Sequence, residues 1–359
     1  MPGRMVIPFG PQHPVLPEPL QLKLVLEDEK VVDVLPAIGY VHRGLERLTE
    51  SKDYVTNVMV VERVCGICSF MHALCYSLAI EDLMKVDVPP RASYLRVIWG
   101  ELHRMHSLLL WLGLQADALG FESLFMHSWR IREKIVDLME LTAGSRVMIS
   151  ACVIGGTRRD IPADLLAHVD RAVRECRQEI DAIAPTFLTD YTVKQRTVGV
   201  GVLSREQAYL LGAAGPMLRA SGIKQDLRTT GYAAYGELDF EPVVETDGDC
   251  YARMVVRIRE LYAAMDLIHQ AIAKIPEGPH AVPVKGNPSG ETISRVEQPR
   301  GECLYYVKAN GTPKLDRLRI RTPTFANFPA LISMVKGSNL ADVPILVLSI
   351  DPCISCTER

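Results

Sequence analysis

Four of the nine cysteines stand in two Cys-x-x-Cys pairs, Cys65-Gly66-Ile67-Cys68 and Cys353-Ile354-Ser355-Cys356. Two thiolates at that spacing chelate one metal, and two pairs together supply a tetrathiolate site for a soft ion. Spacing alone leaves two chemistries open. One is structural zinc, although zinc ribbons bring their pairs together within about 15–20 residues, and here nearly the whole chain intervenes. The other is a catalytic or electron-transferring metal centre. A thioredoxin-like redox motif needs one pair in a βαβ setting, which the pattern lacks. The flanks shift the balance towards catalysis. Arg63 and His72 beside the first pair, and Asp351 before the second, are groups that orient metal ligands and tune their charge. His72, one turn beyond Cys68, reads equally as a buried, satisfied histidine. The other five cysteines (Cys75, Cys152, Cys176, Cys250 and Cys303) have no chelating partner in sequence and read as small buried hydrophobes. His103 and His106 lie one turn apart, a spacing that can bind metal. They are read as packing or lining a polar channel and are not assigned.

The rest of the composition bounds the answer. The chain has 359 residues, 48% hydrophobic and 23% charged, which excludes a disordered protein. Forty basic against 43 acidic side chains, with no basic block, speak against a nucleic-acid surface. No apolar run approaches the roughly 18 residues of a membrane span. The N-terminus lacks an apolar signal core, so the default compartment is the cytoplasm.

The elements that must position these residues are mostly helical. Prolines at 2, 8, 11, 14, 17 and 19 forbid a helix before about residue 20. Gln21 to Glu27 and Lys30 to Leu35 alternate around Asp28-Glu29 and predict a β-hairpin. From Gly44 the period turns helical, with helices predicted over Phe70–Met84, Arg91–Leu119, Glu122–Leu141, Asp164–Ala184 and Asp249–Ile275. Residues 185–246 read as short helical pieces. A second hairpin, Gly301–Ala309 with Leu315–Arg321, is predicted around Asn310-Gly311. A short helix near Ala326–Lys336 and a buried run, Val343–Ile350, then lead into the last two cysteines. The fold class is mainly α, a helical core with small antiparallel sheets near both ends. It is read as one domain over 1–359: an N-terminal loop and hairpin (1–40), a helical body (41–300), and a hairpin with the C-terminal metal-binding segment (301–359).

With these motifs in place, R-x-C-G-x-C-x-x-x-H near the start and D-P-C-x-x-C near the end resemble the large subunit of a [NiFe] hydrogenase. Other family-like segments span essentially the whole chain. They include Gly39-Tyr40-Val41-His42-Arg43-Gly44-Leu45-Glu46, Gln298-Pro299-Arg300-Gly301-Glu302 and Arg321-Thr322-Pro323-Thr324-Phe325-Ala326-Asn327. The GPQHP start, HRGLE, PRGE and the short length are similar to the energy-converting, membrane-associated branch, which is related to the large quinone-site subunit of respiratory complex I. The Ech hydrogenase is the most similar type, the CO-induced hydrogenase the next.

The resemblance implies reversible oxidation of H2 at a nickel–iron centre. Cys65 and Cys353 would be terminal nickel ligands, and Cys68 and Cys356 would bridge nickel to an iron carrying CO and cyanide. His72 would hydrogen-bond a bridging sulfur. Arg300, with Pro299 beside it, would sit over the diatomic ligands, Thr324 would donate to a cyanide, and Asp351 would pair with Arg300. Without the motif, Arg300 would read as a surface ion-pair residue and Thr324 as a turn residue. Glu18 aligns with the glutamate that relays protons from a terminal cysteine, here Cys353; outside the resemblance it is a solvated loop residue. The resemblance also implies a small subunit with a [4Fe–4S] cluster, a ferredoxin-like electron-transfer subunit, integral membrane ion-translocating subunits, and a peripheral position on the cytoplasmic face of the membrane. Two departures matter. Arg359 stands where the family usually has a histidine that helps hold magnesium near the residue matching Glu46, so Arg359 is expected to pair with Glu46 instead. Glu302-Cys303 replaces the segment typical of soluble uptake hydrogenases. The rival readings are a metal-free quinone-site subunit, which leaves the four cysteines unexplained, and a structural zinc protein.

Overall fold

A computed structural model describes residues 4–359. Near the N-terminus the strands Met5–Phe9, Gln21–Glu27 and Lys30–Ala37 form an antiparallel sheet in that order. The predicted hairpin supplies the central strand and one edge, and a strand inside the proline-rich segment adds the other edge. Leu22, Leu24 and Leu26 alternate into a core shared with Met217, Leu218, Phe328, Leu331 and Ile345, the period-2 pattern that identified the strand.

The helical body gathers the main core. Ser69–Met84 begins directly after Cys68 and is buried on almost every side, as its near-continuous apolar sequence requires. Pro90–Ala118 opens with proline at its first turn, where the missing N–H costs nothing. It packs against Glu122–Ala143 and Cys250–Lys274. The helix predicted to end at Ala184 runs on as Ala163–Thr189, through Pro185. Full burial of Phe187 holds the last turn despite the proline.

The second sheet has three strands, not two: Ser289–Gln298, Gly301–Asn310 and Leu315–Arg321, in that order and antiparallel. Gln298 pairs with Gly301, so Pro299 and Arg300 are the two-residue turn between the first two strands. The sheet therefore begins twelve residues before the point taken as the start of the C-terminal hairpin. Helices Pro323–Val335 and Val343–Ser349 then carry the chain to Asp351. The architecture is mainly helical with a small antiparallel sheet near each end, as the sequence predicts.

Candidate metal centre

The two cysteine pairs, far apart in sequence, meet in the interior. Cys65 Sγ lies 3.3 Å from Cys353 Sγ, and Cys68 Sγ lies 3.4 Å from Cys356 Sγ. All four are buried free thiols. The sulfurs of Cys65, Cys68 and Cys356 lie within 4.8 Å of one another, and this is the one metal-binding arrangement of three or more such side chains found among the described residues.

Local structure aims the sulfurs. Cys65 and Cys68 sit in the loop entering the Ser69–Met84 helix, and Ile67 N–H donates to Cys65 Sγ at 3.3 Å. Cys353 caps the short Ile354–Glu358 helix and accepts from Cys356 N–H at 3.4 Å. Residues 39–46 clasp this segment from outside. Glu358 accepts from the N–H groups of Gly39 and Val41, both at 2.5 Å. Arg43 donates to the carbonyls of Val64 and Ser355, next to a cysteine on each side.

The other expected residues converge on the same place. His72 Nε2 lies 3.4 Å from Cys356 Sγ, and its Nδ1 lies 2.7 Å from Tyr305 Oη. Arg300 is buried, donating to Asp351 O at 2.9 Å and to Ser107 Oγ at 3.3 Å, with Nη2 2.9 Å from Asp351 Oδ1. Asp351 adopts a left-handed φ of 53°, a conformation aspartate tolerates better than most residues. Pro299 is buried beside Arg300. Thr324 Oγ1 accepts from Cys353 N–H at 3.1 Å, so it reaches the ligand segment. Glu18 is half-buried and accepts from Ile354 N–H, Ser355 N–H and Ser355 Oγ, directly behind Cys353. His103 and His106 are fully buried; His103 Nε2 meets Ser69 Oγ at 3.2 Å, and His106 has no hydrogen-bond partner.

Three residues of the site escaped the sequence reading. Ser107 and Tyr305 touch Arg300 and His72, and nothing in their neighbourhoods marks them. Gly215 is the third. The Arg300 turn packs so closely on it that an added Cβ would lie 2.3 Å from Gly301 Cα and 2.5 Å from Arg300 O. The Gly-Pro step at 215–216 marks a break, but not what fills the space.

Electrostatics agree with a site for cations. Burial, then hydrogen bonding with Cys353, Cys65 and Cys68, pushes the Cys356 thiol well above the usual thiol range. Hydrogen bonds from Cys353, Cys356 and Cys68 pull Cys65 well below it. Negative charge is thus favoured at Cys65 and disfavoured at the other three thiols, and bound metal would let all become thiolates. Burial holds His72 down to about 4, so its imidazole is neutral. Asp351 and the cysteines keep Arg300 ionised against the cost of burial.

Four convergent soft donors, a buried cation and a neutral histidine on a sulfur suit nickel and iron. The surroundings of Glu46 do not suit magnesium. Glu46 Oε1 accepts from Arg359 Nε at 2.8 Å and from Ile320 N–H at 3.0 Å, while Arg319 and Arg317 lie 3.2 and 3.7 Å from Oε2. The expected Arg359–Glu46 pair is present, and three guanidiniums fill the surroundings a divalent cation would need.

Comparison with known proteins places nearly the whole length of the chain among relatives. Residues 43–117 match the nickel-dependent hydrogenases, and residues 118–287 and 282–359 match the 49-kDa subunit of respiratory-chain NADH dehydrogenase. A carbon monoxide-induced hydrogenase of Rhodospirillum rubrum is 41% identical, the match covering 98% of this chain and 99% of that one. The chain belongs to the [NiFe] hydrogenase large-subunit family, in its complex-I-related branch. The alpha subunit of a membrane-bound hydrogenase of Pyrococcus furiosus is 38% identical over 98% of this chain and 87% of its own. A component of the F420H2 dehydrogenase of Methanosarcina mazei is 35% identical over 99% of this chain and 98% of its own. The family thus contains hydrogenases and oxidoreductases of other names, and the site must decide between them.

Proposed function

We propose that this chain is the catalytic subunit of an energy-converting [NiFe] hydrogenase, interconverting H2 with protons and electrons. The observation that carries this reading is the meeting of all four cysteines in one dry cluster, with Cys65 beside Cys353 and Cys68 beside Cys356. In this reading Cys65 and Cys353 would hold nickel, and Cys68 and Cys356 would hold nickel together with an iron carrying CO and cyanide. When bound, that group supplies soft, redox-active metals with an open position for hydrogen.

The protein's own groups do the rest. His72 donates Nε2–H to the Cys356 sulfur and steadies its charge. Arg300, fixed by Asp351 and Ser107, presents a cation to the anionic diatomic ligands and to charge developing beside them. Thr324, anchored by Cys353 N–H, offers its hydroxyl proton to a cyanide. Glu18 lies behind Cys353, where a carboxylate can take a proton from the thiol and pass it outward. The buried walls exclude bulk water. Electrons leave to partners, in this reading a small subunit carrying a [4Fe–4S] cluster and a ferredoxin-like electron-transfer protein, both seated on ion-translocating membrane subunits. Among the described residues no helix is long and apolar enough to cross a membrane, which fits a peripheral position on the cytoplasmic face.

The match to the 49-kDa subunit supports a second reading, a quinone-site subunit without metal. Metal analysis separates the two: nickel and iron in the first, neither in the second, and zinc alone would indicate a structural site. Infrared bands of bound CO and cyanide would carry the first reading. Cys65→Ser should remove nickel and abolish hydrogen–deuterium exchange, because an alkoxide is a harder ligand than a thiolate. Full exchange in that variant refutes the assignment.

A further inference from the structure

Behind Arg300 lies a buried ionic network that the proposed chemistry at the cysteines leaves unused. Glu101 binds Arg104 at 3.0 Å and Arg228 at 3.3 Å, and Arg228 binds Asp226 at 2.7 Å. Arg219 then joins Asp226 (3.4 Å), Glu260 (2.5 Å) and Glu297 (2.8 Å). All seven side chains are buried. Burying so many charges is weak evidence for stability, since desolvation offsets most of the attraction. Their placement suggests another use. Glu297 is three residues before Arg300 on the same strand and turn, and Arg104 donates to the carbonyls of Glu297 and Gln298.

Two further observations give the network a direction. Glu297 lines a cavity of about 220 Å³ bordered also by Glu302, Arg321 and the exposed side chains of Tyr209 and Gln225. At the opposite end, fully buried polar atoms stand without partners: Glu260 Oε2, Arg257 Nε and Nη2, Asp351 Oδ2, and both side-chain polar atoms of Gln298. Arg257 and Glu260 stand one turn apart on the Cys250–Lys274 helix, and the Arg257 charge also acts on Asp351. Buried polar atoms of this kind are normally satisfied by internal water.

We propose that internal water past Arg257 joins the Arg300–Asp351 face to Glu260, and that Glu260 and Glu297, which meet across Arg219, form a second proton path to the cavity beside Gln225. The path rests on the hydrogenase reading above. A proton released at the metal face reaches Glu260 through water and protonates its carboxylate. Glu260 passes it on through water to Glu297, and Glu297 releases it to water in the cavity; each carboxylate is regenerated and no electron moves. The guanidiniums hold the carboxylates in place but cannot themselves give up a proton. Glu297 faces Arg219, Arg104, Asp226 and Tyr232. Burial, then the Asp226 charge, raises its carboxyl to about 7 against the pull of Arg219, which suits a group that loads and unloads near neutrality.

The test uses the intact complex with Glu297→Gln and Gln225→Trp, each alone and combined with Glu18→Gln. Gln225 is exposed at the cavity mouth, so filling the mouth leaves the core untouched. Exchange of deuterium gas with solvent protons should fall several-fold in each variant alone. The residual exchange of the Glu18→Gln complex should fall by a further factor of roughly ten with either change. Nickel content and CO and cyanide bands should stay as in the parent. Independently of turnover, a carboxylic C=O band in infrared difference spectra should titrate near pH 7 and vanish in Glu297→Gln. A residual exchange that neither change lowers, no residual exchange in Glu18→Gln, or the absence of that band overturns the path. A complex lacking nickel and iron overturns the hydrogenase reading itself, and the path with it.

Discussion

Tyr305 Oη lies 2.7 Å from His72 Nδ1, and the far side of the same ring faces Cys356 Sγ at 3.4 Å. A neutral imidazole carries one N–H. With the tyrosine hydroxyl donating to Nδ1, that proton is placed on Nε2, pointing at the sulfur. Tyr305 is thus a positioning residue that selects the His72 tautomer.

Tyr305→Phe should keep nickel and iron but shift the CO and cyanide bands, because Cys356 loses a fixed donor. The variant should also lose about 1–2 kcal/mol of stability from the orphaned ring nitrogen. Infrared spectra of the loaded variant check this; unshifted bands would mean that His72 keeps its tautomer without the tyrosine.

Arg300→Lys preserves charge but not the planar fork that engages Asp351 and Ser107 together. Turnover per bound nickel is expected to drop roughly a hundredfold, in the range of losing one preorganised donor at a reacting centre. Equal turnover per nickel would exclude a direct role for the guanidinium.

Gly215→Ala changes no side chain in contact with the cysteines, yet its methyl would strike Gly301 Cα and Arg300 O, and its φ of 64° is left-handed. The Arg300 turn has to move. A destabilisation of about 2–4 kcal/mol is expected, together with the reduced turnover of an Arg300 variant. A crystal structure showing Arg300 unmoved, with normal turnover, would defeat this argument.

Acid should destabilise the fold earlier than its carboxylates alone require. Burial lowers the His103 imidazole to about 4, below the free value of 6.5. His106 is lowered too, by burial first and then by the charge of Arg132. The folded protein therefore binds these protons less tightly than the unfolded chain. The His103 contribution is complete above pH 6.5 and is lost as pH falls from there towards 4, about 3 kcal/mol at full effect. Denaturant unfolding against pH should show this limb, and His103→Gln, which can keep the bond to Ser69, should flatten it. An unchanged slope would rule out His103 as the cause.

Most helices and both hairpins were legible because each buries one face and writes its period into the sequence, while Ser69–Met84, buried on almost every side, shows as a near-continuous apolar run. The longer strands missed, Met5–Phe9 and Ser289–Gln298, are edges of their sheets. Only Phe9 in the first and Val296 in the second are fully buried apolar residues, so no alternation betrays them. Thr189 escaped as a helix end because burial of Phe187, a tertiary effect, overrides Pro185. At the site, paired spacing made the cysteines visible, and the motif made Arg300 and Glu18 visible. Tyr305 and Ser107 act through contacts formed 233 and 193 residues away along the chain, and no local pattern carries such information.

The clasp between the two cysteine pairs has a consequence for folding. Cys65 and Cys353 are 288 residues apart, so a metal held by both ties the ends of a very large loop. If that tie persists when the rest of the chain opens, it restricts the unfolded ensemble as a covalent cross-link does, by about 5–6 kcal/mol in the chain-entropy estimate. The same distance makes the pocket a late event. Its walls exist only once the interior between the pairs has condensed, because local turns fold quickly and contacts of such long range come last. Loading the centre is then a question of timing, with a brief interval in which the donors are near one another and not yet sealed from solvent.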